Sequence, residues 1–193
     1  MSAWSLLVAG AVLAASAARP AGPSPETPRD GEPFLLTDVR VLSLSDGKAS
    51  PPSSLFVRGG RVEWLGDARD APPAADAVAR IDGAGHFVMP GLVDAHVHIG
   101  ERDELDLYLL NGVTTVLNLN GQPVHLEMRR EVREGLRRGP RIYTAGRTID
   151  GDPPRNPRFR PLGDAAEADA LVAELDEAGY DFVKIYDLIE RGP

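Results

Sequence analysis

The chain has no cysteine among its 193 residues. That excludes a disulfide framework, a thiolate metal site, a thiol nucleophile and a lipid-anchoring cysteine. It also lacks a basic excess: with 21 Lys and Arg against 29 Asp and Glu, its net charge is −8. An acidic balance argues against nucleic acid or an anionic membrane surface as the main partner. Long apolar runs are missing too. Residues 6–17 (LLVAGAVLAASA) are uncharged and apolar, but too short to span a bilayer, so no stable membrane anchor is expected. Histidine is scarce, with four in all.

What is present is enough apolar sequence, 42%, to bury a core. The length suits one ordinary domain or part of a larger one. The apolar stretch ends in small residues before Arg19-Pro20, as a secretory signal does, although its leading segment MSAWS carries no Lys or Arg. The expectation is a signal peptide over residues 1–18 and an exported, periplasmic or secreted product. Residues 19–33 hold five prolines and no apolar periodicity, which predicts an extended linker.

From residue 34 to 88 the pattern is short strands and turns. SLFVRGGRVEWLG at 54–66 reads as a hairpin around Gly59-Gly60. No titratable cluster stands out in this region, which reads as a scaffold, and His86 at a strand start beside the turn DGAG reads as structural.

Two of the four histidines lie in MPGLVDAHVHIG, residues 89–100. In a strand every second residue shares a face. The odd row, Val93, Ala95, Val97 and Ile99, is apolar throughout; the even row, Leu92, Asp94, His96 and His98, turns polar toward the end. Both imidazoles then point the same way, near enough to share one ion. Taken alone, the stretch could equally be a half-exposed strand whose wet face carries two histidines.

The residues that follow alternate apolar strands with amphipathic helices. A helix over 103–110 stops at Asn111-Gly112, and a strand covers 113–119. A second helix carries Val124, Met128, Val132 and Leu136 on one stripe, up to Gly139-Pro140. A strand at 141–145 and a Gly- and Pro-rich loop lead to Asp164, a predicted helix N-cap. A last strand covers 181–186. Such alternation implies βαβ units with a parallel sheet. In a barrel of such units, active sites form at the C-terminal strand ends, where His96 and His98 stand.

Lys184 sits among Phe182, Val183, Ile185 and Tyr186 in that last strand. An ammonium buried without a partner is strongly disfavoured. Either Lys184 reaches water at a rim, or its amine has combined with carbon dioxide to give a carbamate, an anionic oxygen ligand. His125, at a helix start, reads as a surface residue. Asn118 and Asn120 read as turn formers or as polar lining of a site.

IDGAGHFVMPGLVDAHVH at 81–98, GVTTV at 112–116, GPRIYTAG at 139–146 and DFVKIY at 181–186 together resemble the amidohydrolase superfamily of metal-dependent hydrolases. The branch it looks most like contains prolidase-type and imidazolonepropionase-type enzymes. The resemblance covers about residues 35–187. It implies an α/β fold, a (β/α)8 TIM-type barrel of which about the first four units fall at 89–193. A small flanking β-sandwich would occupy 34–88. It implies that His96 and His98 bind a first metal ion and that Lys184, as a carboxylated lysine, bridges it to a second. The cofactor would be one or two divalent ions, zinc above all. The implied reaction is hydrolysis of an amide-type C–N bond in a small-molecule substrate: a dipeptide, acyl-amino acid or cyclic amide. The resemblance also implies two further histidines and a general-base aspartate, which would lie beyond residue 193. The chain is therefore expected to be an inactive N-terminal fragment, and a homo-oligomer is left open. Where many members of the branch read GVTT-hydrophobic-Arg-Asp, Leu117-Asn118 stand here. A non-catalytic secreted metal-binding module, or a mononuclear deaminase-like enzyme with an unmodified Lys184, remain as alternative readings.

Overall fold

A computed structural model describes Pro28 and residues 31–189. The expected signal peptide and most of the predicted linker lie outside the described residues. Among the described residues no helix is long and apolar enough to cross a membrane. The chain divides into two compact units, which meet in sequence between Met89 and Pro90.

The first unit is built of β1 (Phe34–Val41), β2 (Ser53–Arg58), β3 (Arg61–Gly66), β4 (Ala79–Asp82) and β5 (Phe87–Val88). β2 and β3 pair antiparallel around Gly59 and Gly60. Both glycines have positive φ, 58° and 72°, as the right-handed twist of a two-residue hairpin demands. β1 lies between β2 and β4, antiparallel to the first and parallel to the second, and β5 continues alongside β1. Leu35, Phe56 and Ala75 form its buried core, with Trp64 and Val78 packed against them. His86 closes the turn before β5 through a 2.8 Å contact of Nδ1 with the Gly83 carbonyl, a structural role as expected.

The second unit begins with β6 (Leu92–Val97), α1 (Glu104–Leu110), β7 (Val113–Asn118), α2 (Pro123–Arg133) and β8 (Arg141–Thr144). The three strands form a parallel sheet in sequence order, so two successive βαβ units are present. β9 (Ile149–Asp150) pairs with β10 (Arg160–Pro161), and α3 (Ala168–Glu177) follows. Asp164 Oδ1 accepts the Ala166 N–H at 2.9 Å, capping the short turn that leads into α3. Val97, Ile99, Leu105, Val116, Met128 and Ile142 make one core between the helices and the sheet.

Three local expectations change. The α2 stripe ends early: Gly135 turns left-handed at φ 71°, and Leu136 is 71% exposed instead of packed. The strand expected over 181–186 is reduced to two parallel bridges, Ala145 with Phe182 and Ile149 with Ile185. The odd row of β6 is buried only at its C-terminal end, where α1 and α2 supply the core. Val97 is 6% exposed, whereas Val93 is 60% exposed. Gly91 admits β7 closely, since a Cβ there would collide with the Thr114 side chain.

Candidate metal centre

The two motif histidines meet at the C-terminal end of β6. Their ring centroids are 5.3 Å apart with planes at 71°. The backbone sets this up. Between Asp94 and Val97 the register against β7 slips by one residue, so the segment carrying His96 bulges from the ladder. The Asp94 carboxylate closes the bulge by accepting the His96 N–H at 3.1 Å. Both side chains stay exposed, on the face opposite the buried Val97 and Ile99.

His98 is held more in its neutral form than an ordinary histidine. Burial lowers its pKa first, and the positive charges of His96 and Lys184 lower it further. The third predicted residue is therefore close enough to act on the second through its charge. Lys184 is half-buried and not sealed, because the segment around it is bridged only at Phe182 and Ile185. Its ammonium makes no ion pair among the described residues. Half-burial lies between the two expected settings, a rim open to water and a strand covered on both sides.

These residues fit a divalent ion by the chemistry of their donors. A tetrahedral ion about 2.0–2.1 Å from one nitrogen of each ring would set the two centroids about 5 Å apart. Only a neutral imidazole has a lone pair to give, and His98 is biased that way. Among the described residues no group of three or more His, Cys, Asp or Glu side chains gathers as a metal site, so the set is two imidazoles with Lys184 nearby.

The remaining predicted residues divide. Asn118 is fully buried: its Oδ1 accepts the Ile99 N–H at 3.2 Å and its Nδ2 donates to Thr144 Oγ1 at 3.1 Å. It neither forms a turn nor lines an open site. Asn120 Oδ1 accepts the Thr148 N–H at 3.2 Å, bracing the loop after β8. His125 departs from expectation. It is 4% exposed, not a surface residue, and its imidazole spans from the start of α2 to the end of β6. The one sign of it in the sequence is spacing: His125 stands three residues after Gln122, where a side chain can reach back to the N–H at the helix start.

Asp150 is a buried carboxylate that sequence reading passed over. Its Oδ2 accepts the Arg155 N–H and its Oδ1 the Leu188 N–H, at 2.8 and 2.9 Å. Burial pushes its pKa up, but the backbone N–H groups of Arg155, Leu188 and Gly151 outweigh it and hold the carboxyl below its ordinary value. It ties the loop after β8 to the segment just beyond Lys184. A cavity of about 890 Å³ lies at the other end of the sheet, lined by Gly91, Thr114, Arg133, Arg141 and Asp181, and contains none of the predicted site residues.

No protein-family model matches the chain. The imidazolonepropionase of Aromatoleum aromaticum is 54% identical over 46 residues, 24% of this chain and 11% of that protein. The solved structure of a bottromycin amidohydrolase matches 82% of this chain and 34% of its own, at 26% identity and a TM-score of 0.69. Over an N-terminal stretch the chain is similar to members of the amidohydrolase superfamily. The fold is shared as well with a Xaa-Pro dipeptidase, at 22% identity and a TM-score of 0.66 over 79% of this chain and 46% of that one. The chain spans less than half the length of these solved structures, and its match covers about a tenth of that imidazolonepropionase. The likeness runs over an N-terminal stretch of the family.

Proposed function

We propose that this chain carries the metal-binding start of a hydrolase that cleaves an amide-type C–N bond in a dipeptide, acyl-amino acid or cyclic amide. In this reading, residues 89–193 supply the first four units of an eight-unit barrel, residues 34–88 a flanking sandwich, and export follows from the apolar N-terminus. The observation that carries it is the pair His96 and His98, 5.3 Å apart at the C-terminal end of a parallel strand. Strand ends of that kind are where barrel enzymes place their chemistry. The names of the relatives, an imidazolonepropionase and an amidohydrolase, support the reaction class.

His96 and His98 would hold the first ion through neutral imidazole nitrogens, and zinc suits such donors. Lys184 would add an oxygen ligand. Its neutral amine attacks carbon dioxide, forms the N–C bond and releases one proton, leaving an anionic carbamate. When bound, a zinc ion lowers the pKa of a coordinated water to about 7 and polarises a substrate carbonyl. The chain's own contribution is placement: the β6 bulge aims His96, and the ties beyond Val97 fix His98.

The test is metal content and hydrolysis measured together on the full-length enzyme, with a panel of dipeptides, acyl-amino acids and cyclic amides. His96→Ala should lose bound zinc and activity in parallel. Zinc retained at the wild-type level would reject the ligand assignment.

A further inference from the structure

His98 stands one residue past the end of β6, where ladder hydrogen bonds no longer hold the chain. Both peptide groups that flank it are nonetheless fixed. On one side the Val97 carbonyl accepts the Leu119 N–H at 3.0 Å. On the other, the Ile99 N–H donates to Asn118 Oδ1 at 3.2 Å. The two backbone torsions of His98 lie between these anchors, and one of the anchors is a side chain.

That side chain is fully buried and uses both ends of its amide. Asn118 Nδ2 donates to Thr144 Oγ1 at 3.1 Å, and the Thr144 hydroxyl spends its own proton on the Ala145 carbonyl at 2.9 Å. The position needs an acceptor toward Ile99 and a donor toward Thr144. An amide has both at this length, and a leucine of similar volume has neither. From Thr144 the connection continues by backbone. Its N–H donates to Asp181 Oδ2 at 2.8 Å, and its carbonyl accepts the Asp181 N–H at 2.9 Å. Asp181 opens the segment that carries Lys184. One buried amide thus links the ends of β6, β7 and β8, and through Thr144 the Lys184 segment.

We propose that Asn118 is a positioning residue that sets the backbone, and hence the imidazole, of His98 for metal binding. It touches no metal or substrate itself. The proposal rests on the metal-site reading above and adds to it a residue that acts through the strand end. Outer partners that orient a metal ligand typically contribute about 10–100-fold in affinity.

The experiment is a zinc titration of the full chain against a chromophoric chelator, at a temperature where circular dichroism shows each variant folded. Asn118→Leu should weaken zinc binding about 10–100-fold. Leu35→Ala, which loosens a separate core cluster with no member in the His98 segment, should leave affinity unchanged. Wild-type affinity in folded Asn118→Leu overturns the proposal, as does an equal loss in Leu35→Ala. If Asn118→Leu does not fold, Thr144→Val decides: it leaves the amide N–H without its partner and should weaken zinc in the same direction, and unchanged affinity overturns the proposal. His96→Ala separates the two readings. If it leaves zinc binding untouched, the metal site itself is wrong. If it abolishes binding while Asn118→Leu changes nothing, only the positioning role fails.

Discussion

His125 and Ile99, twenty-six residues apart, are joined at 2.9 Å between the imidazole Nε2 and the backbone carbonyl. The direction of that bond follows from the other ring nitrogen. Nδ1 sits 2.8 Å from the Gln122 N–H, which can only donate, so Nδ1 accepts and the ring proton is on Nε2. A single neutral imidazole therefore caps the first turn of α2 and holds the chain immediately beyond His98.

His125→Ala should leave the buried Ile99 carbonyl without a partner, while the Gln122 N–H, on an exposed residue, can turn to water. One unsatisfied buried group costs about 1–3 kcal/mol, so a loss of stability in that range is expected from urea unfolding. Stability equal to wild type would mean that water replaces the ring at both contacts.

Under the proposed carboxylated-lysine reading, Lys184→Ala should remove most of the activity of the full-length enzyme, because the oxygens that would bridge two ions go with the side chain. A short-chain carboxylate such as acetate or propionate should restore part of it by supplying those oxygens. Failure of every small carboxylate, together with an unmodified lysine mass in the metal-loaded wild type, would favour the mononuclear alternative.

Asp150 should contribute to acid sensitivity. Its carboxyl is held below the ordinary value of 3.8 in the folded chain by three backbone donors that outweigh its burial. A depressed folded pKa means stability that is present above the unfolded value and lost as pH falls through the folded one. Wild type should thus be more stable than Asp150→Asn near neutrality, with the gap closing below about pH 4. Urea unfolding between pH 2 and 7 measures this, and a gap independent of pH would show that the charge is immaterial.

Export should remove roughly the first 18 residues if the small-residue boundary before Arg19 is a cleavage site. Mass spectrometry of the mature N-terminus decides it. An intact Met1 on the purified protein would count against export.

Local rules made some of this protein readable in advance. The Gly59-Gly60 hairpin depends on two residues that accept positive φ, and the pairing of His96 with His98 depends on spacing within one short segment. The order of strands and helices from Leu92 to Thr144 likewise follows from periodicity, which each segment carries within itself. The rest needed partners distant in sequence. Whether His125 is wet or buried depends on which carbonyl lies across from the start of α2, and Ile99 is there only because α2 packs over the end of β6. Asn118 could be read as lining or as a turn former because its partners lie elsewhere in sequence, Ile99 just beyond β6 and Thr144 at the end of β8. How far Lys184 is covered, between an open rim and a sealed strand, was beyond sequence as well. Alternation predicts which side a residue takes, but only the packed neighbours decide whether that side is covered. The same reason explains why Val97 is buried and Val93, on the same apolar row, is not.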